Sequence, residues 1–243
     1  MIAHPAGRRA SARALTLLAL GLGAAAPLPA QMYGVPVLQN AFLNRGLAVA
    51  GNYGREDGGT AFGAAGSYSP RGRRLVLSGG IGVFSPQPRE ELGNELTYGV
   101  RLAVPILRLA GGAIGVAPFA GVGSAGFELR EPPTGTETDS TDAMTTLLHV
   151  PVGVAVGYRR ALGQTRSFSV YAAPFYSWNR RTHGDSSTSR GLARVSVGLD
   201  VALMPSIGLT LGYELGASAK DDQPGARTGI FGAGLSYALG ARR

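Results

Sequence analysis

Ala193-Arg194-Val195-Ser196-Val197-Gly198-Leu199-Asp200-Val201-Ala202-Leu203, Ile207-Gly208-Leu209-Thr210-Leu211-Gly212-Tyr213-Glu214-Leu215 and Phe231-Gly232-Ala233-Gly234-Leu235-Ser236-Tyr237-Ala238-Leu239 together decide the fold. Every odd position in these three runs is apolar or Tyr. The even positions are Gly, Ala or polar, and they include Arg194, Asp200 and Glu214. A period of two is that of a β-strand with one greasy face. A face this wide needs a large apolar partner, and no equally apolar second sheet is on offer. Lipid is the partner that fits: apolar-out, polar-in strands separated by turns are the pattern of a transmembrane β-barrel.

Outward from that stretch the same alternation repeats. One earlier run has Leu148, Val150, Val152, Val154, Val156 and Tyr158 on one face, with His149 and Gly153 on the other. Another has Leu96, Tyr98, Val100, Leu102, Val104 and Ile106 opposite Arg101. Phe168, Val170, Ala172, Pro174, Tyr176 and Trp178 form a third greasy row. Ten candidate strands emerge, from Gly46–Tyr53 to Thr228–Leu239. The expected fold is an all-β, transmembrane, antiparallel up-and-down barrel of about ten strands, with eight as the alternative. Connections alternate in length, and the acidic residues gather in or beside the odd ones, including Asn179–Gly191 and the Thr-rich Glu128–Thr146. Long loops on one side and short turns on the other are a barrel trait. Pro105, Pro118, Pro151 and Pro174 fall inside strands. Proline cannot donate to a ladder, so bulges or irregular pairing are expected there. The rival fold is a secreted β-sandwich binding protein. A sandwich should carry charges on its outer faces, whereas here apolar residues alternate with Gly, Ala and Ser.

Residues 1–30 stand apart: Arg8, Arg9 and Arg13, then an apolar run from Ala14 to Ala26, then Pro-Leu-Pro-Ala. That is the layout of a cleaved signal peptide. Residues 31–45 form a short N-terminal segment, and 46–243 form the barrel. The chain has no Cys, which excludes disulfides and thiolate chemistry. Its formal charge of +8 resides mostly in Arg of the leader, turns and C-terminus. With export expected, nucleic acid is not an expected partner.

Ala117-Pro118-Phe119-Ala120-Gly121-Val122-Gly123, Val150-Pro151-Val152-Gly153-Val154-Ala155-Val156-Gly157-Tyr158 and the last strand resemble phrases of small bacterial outer-membrane β-barrel proteins. The resemblance spans residues 32–243 and implies a cell outer-membrane location. It further implies contact with lipid and lipopolysaccharide, and recognition by the barrel-assembly machinery through Gly234, Tyr237 and Leu239. The chain departs from that family's usual terminal aromatic, ending Gly240-Ala241-Arg242-Arg243.

The inward set holds Asn52, Arg101, His149, Tyr171, Arg194, Asp200, Thr210 and Glu214. Opposite charges inside a narrow barrel should pair. The resulting polar network, centred on Arg101, His149, Arg194, Asp200 and Glu214, either plugs the lumen or rings a narrow passive channel. An enzyme is the competing class. Omptin-type barrel proteases use His–Asp pairs near a rim, and His183-Gly184-Asp185 offers one in an expected loop. Ser186 and Ser187 beside His183 raise a lipid hydrolase. No wider motif surrounds either, so no catalytic residue is assigned, and no metal or cofactor is expected. The acidic loop Glu128–Thr146 is a candidate surface for cation-bridged lipopolysaccharide, weighed against a plain solvated loop.

Overall fold

The structure is a computed structural model. It describes residues 33, 35–42, 46–56, 58–70, 74–86, 94–128, 144–163, 166–216 and 229–239. The expected signal peptide and nearly all of the acidic loop lie outside the described residues.

Eleven β-segments follow one another: β1 (Gly46–Glu56), β2 (Gly59–Ser69), β3 (Val76–Pro86), β4 (Glu95–Ala103), β5 (Leu107–Leu109), β6 (Ile114–Glu128), β7 (Met144–Ala161), β8 (Ser167–His183), β9 (Ser186–Ala202), β10 (Ile207–Gly216) and β11 (Gly229–Leu239). Each pairs antiparallel with its neighbour, β1 pairs with β11, and both β4 and β5 pair with β6. The sheet therefore closes on itself. Segments β4 and β5 are one stave interrupted at Pro105, bridged by Val104 N–H to Pro118 C=O and Ile106 N–H to Val116 C=O. That makes ten staves, the expected number.

Pro105 bulges the ladder, since Ala103 pairs with Phe119 but Leu107 with Val116, so three residues stand opposite two. Pro151 and Pro174 interrupt it without bulging. Pairing lapses at Gly121–Val122 opposite Val150–Pro151, and at Val154–Ala155 opposite Ala173–Pro174, yet the register is the same on both sides of each gap. A proline removes one donor, and a fully paired neighbourhood holds the strand in line. The expected bulge or irregular pairing thus occurs as a bulge at Pro105 and as lapses in pairing at Pro151 and Pro174.

Burial alternates along each stave. Outward positions carry exposed apolar side chains, such as Leu96, Val100, Val152, Val156, Val197, Leu211 and Leu235. Tyr68, Tyr158, Phe168 and Tyr237 sit toward the end bearing the barrel's termini, and Tyr53, Phe62, Tyr176, Trp178, Tyr213 and Phe231 toward the other, as two interfacial girdles would. Ala61, Thr97, Ala117, Ala155, Ala173 and Ser196 face inward and are fully buried. With an apolar outside, a polar and small-residue inside and no free edge, this is an outer-membrane-type β-barrel whose outward face lies in lipid.

The strands are longer than expected on one side. Asn179–Gly191 was expected as a loop, but β8 runs to His183 and β9 starts at Ser186, leaving a two-residue turn at Gly184-Asp185. Gly184 takes φ +52°, a left-handed conformation that suits Gly in such a turn. The apolar signal stops there because the hairpin projects past the lipid belt, where both of its faces are wet. Below, the end holding Gly46 and Leu239 is the terminal end, and the end holding Gly184 is the loop end.

Candidate functional site

Ten staves enclose more space than side chains of this size fill. The space is taken by the chain itself. Residues 35–42, expected only as a short lead-in, run inside the barrel. Val35, Val37, Gln39, Ala41 and Phe42 are buried, with Val37 wholly so. Phe42 lies against Gly115 and Gly157 near the terminal end, and Val35 joins Ala61 and Phe84 near the loop end. Tyr33 stacks edge-on against Phe84 with ring centroids 5.1 Å apart. Val37 and Ala41 belong to one interior cluster with Phe119, Tyr171 and Phe175. Two inward glycines make room for this segment. A Cβ on Gly232 would stand 2.3 Å from Pro36 Cδ, and one on Gly212 would stand 2.6 Å from Leu38 Cδ2.

The polar network is arranged around this plug. Arg194 and Glu214, twenty residues apart on β9 and β10, form an ion pair with Nε to Oε1 at 2.6 Å. Their side chains are 3% and 2% exposed. The other Glu214 oxygen accepts the Val37 N–H at 2.9 Å. The Val37 carbonyl accepts Ser196 Oγ–H at 2.8 Å and lies 3.4 Å from the Tyr171 hydroxyl. A plug strand has no ladder partner of its own, so these side chains replace the ladder. One turn of the plug away, Asn40 Nδ2 donates to Asp200 and Ser169, and Thr210 donates to the other Asp200 oxygen. The Arg159 guanidinium covers the Phe42 ring at 4.7 Å. Of the expected inward residues, Arg194, Asp200, Glu214, Tyr171 and Thr210 thus meet on one object that the strand pattern does not reveal.

His149 and Arg101 stand apart from it. His149 Nδ1 meets Asn179 Oδ1 at 2.6 Å and Ser177 Oγ at 2.8 Å. A Ser-His-Asn relay needs the hydroxyl and the orienting group on opposite ring nitrogens. Here both crowd one nitrogen, while Nε2 is buried without a hydrogen-bond partner. The cluster lacks the wiring of that relay. Arg101 faces inward beside Ser78 on β3, and its Nε is buried without a partner. His183 Nδ1 is bonded to Thr145 Oγ1 at 2.8 Å, across from β7 and in the projecting hairpin rather than in a loop. Asp185 and Ser187 beside it are exposed. No group of three potential metal ligands occurs among the described residues. Gly234 faces the lumen, while Tyr237 and Leu239 face lipid, 49% and 45% exposed.

The plug could have been sought from two sequence signals together. The inward rows of β10 and β11 are unusually rich in Gly, and Val35-Pro36-Val37-Leu38 is apolar ahead of the first strand. Small inward residues in a ten-stave barrel leave a void that something apolar must fill.

No protein-family model matches the chain, and no curated protein does. Several solved structures are similar to it. The N-terminal β-barrel domain of Pseudomonas aeruginosa OprF is 9% identical, covering 79% of this chain and 96% of that one, at a TM-score of 0.33. Neisserial surface protein A is 14% identical over 79% and 94%, at a TM-score of 0.33. Ail of Yersinia pestis, in complex with the heparin analogue sucrose octasulfate, is 12% identical over 79% and 95%, at a TM-score of 0.38. The barrel assignment rests on the closed ladder and the two-faced staves.

Proposed function

We propose that the mature chain is an integral outer-membrane protein whose lumen is closed by its own N-terminal segment. It serves the membrane structurally rather than as an open porin. The observation that carries this is Val37, held on both backbone groups inside the barrel: its N–H by Glu214, its C=O by Ser196. A narrow passive channel is the reading this closure argues against. In this proposal the terminal end faces the periplasm and the projecting β8–β9 hairpin faces outward, because long polar extensions belong on the extracellular side. Lipid and lipopolysaccharide contact the outer face, and the assembly machinery reads the last strand through Gly234, Tyr237 and Leu239. In this proposal the protein is not an enzyme, a reading supported by the engagement of His183 with Thr145 and by both partners of His149 meeting one ring nitrogen.

Single-channel recording in planar bilayers tests the closure. Folded wild type is expected to be silent, and a variant lacking residues 33–42 to conduct. Steady ohmic steps from wild type would refute the closed lumen. Peptide or lipid hydrolysis that disappears in His183→Ala would overturn the non-enzymatic reading.

A further inference from the structure

The plug does not fill the whole lumen. Beside it, against β1–β4, is a cavity of about 170 Å³, bordered by Asn52, Ser67, Ser78, Arg101, Thr210 and Ser236. A second cavity of about 210 Å³ shares Ser67, Ser78, Arg101, Thr210 and Ser236. It reaches Val76, Ser167 and Ala202, which are strand ends at the terminal mouth. The space exists because neighbouring inward positions are Ala48, Ala50 and Ala65.

One charge lines the first cavity, and it is Arg101. Arg194 has Glu214, and Arg159 has the Phe42 ring. Arg101 makes no side-chain hydrogen bond, ion pair or ring contact among the described residues, and its Nε is buried without an acceptor. The nearer lumen carboxylates cannot turn to it without breaking what they hold, Glu214 keeping Arg194 and Val37 and Asp200 keeping Asn40 and Thr210, while Glu56 and Glu95 lie at the loop ends of β1 and β4. A guanidinium out of bulk water and without a counter-charge is costly, and it is relieved by an anion. Ser67, Ser78 and Arg101 are register partners on β2, β3 and β4 and line the same cavity, with Ser78 Oγ at a long 3.4 Å from the Arg101 carbonyl. A fork of N–H donors flanked by hydroxyls is the donor set for a small oxyanion.

We propose that this cavity is a binding site for a small oxyanion of the phosphate class, entered from the terminal mouth and held by Arg101 with Ser67 and Ser78. The anion supplies Arg101 with a counter-charge beside it.

The test is a titration of the full mature protein, refolded in detergent micelles, with inorganic phosphate by calorimetry. Heat-modifiable gel mobility verifies folding. Wild type is expected to bind saturably with one site. Arg101→Met is expected to weaken binding at least about tenfold, with Arg101→Lys between the two. Ser78→Val, which fills the cavity from the neighbouring stave, is expected to cause the same loss and serves if Arg101→Met does not fold. Absence of saturable binding in wild type overturns the proposal. So does binding that survives Arg101→Met or Ser78→Val unchanged. A wild type that conducts yet binds phosphate at Arg101 would refute the closed lumen alone. A silent wild type that binds none would refute this site alone.

Discussion

Glu214→Ala probes the plug and the barrel at once. The side chain is 2% exposed and holds two groups: Arg194 Nε at 2.6 Å and Val37 N–H at 2.9 Å. Truncation leaves the Arg194 guanidinium, 3% exposed, without its carboxylate. Removing one partner of a buried pair costs about 3–5 kcal/mol. Orphaning the Val37 N–H adds about 1–3 kcal/mol if no water reaches it. Water admitted by the missing side chain relieves part of both, so the expected net loss is about 3–5 kcal/mol, set by the guanidinium. Urea unfolding in lipid vesicles measures it, with the single Trp, Trp178, as the fluorophore. The companion is Arg194→Ala/Glu214→Ala. It should be more stable than Glu214→Ala alone, because it buries no lone charge. A loss below about 1 kcal/mol for Glu214→Ala, or a double variant that loses the full sum of the singles, would refute the buried pair as the anchor.

Other perturbations have distinct readouts. Gly232→Val puts branched atoms where a Cβ already lies 2.3 Å from Pro36, so the plug should leave while the wall stays intact. Bilayer conductance should then rise from silence, with heat-modifiable mobility retained. Gly153→Ala meets Phe175 Cβ at 2.4 Å and the Pro174 carbonyl at 2.5 Å, both on the backbone side of β8. A destabilisation of about 1–3 kcal/mol by urea unfolding is expected, and an unchanged midpoint counts against this packing. Leu211→Arg sets a charge on the outward face of β10 and should cost about 2–4 kcal/mol if that face lies at mid-bilayer. The chain has no native Cys, so Asp185→Cys and Met204→Cys report sidedness cleanly. A membrane-impermeant maleimide on intact cells should label the first and spare the second.

The alternation from Ala193 to Leu239 determined the class of fold by itself. A period of two with an unbroken apolar face is a local property, and it names the solvent on that face as lipid. The same rule placed Arg101, His149, Arg194, Asp200 and Glu214 inward, because side-chain direction in a strand follows from parity alone. Parity carries no information about what is opposite. The pairing of Arg194 with Glu214 follows from adjacent staves in register, but the bond from Glu214 to Val37 spans 177 residues. Only closure of the ladder brings those together. The β8–β9 hairpin was hidden for a related reason: beyond the lipid belt both faces meet water, so strand and loop have the same polar composition. Residues 35–42 show no periodicity, since they make no ladder. Their place is decided by the void that small inward residues leave inside ten closed staves, and a void is a property of the tertiary structure alone.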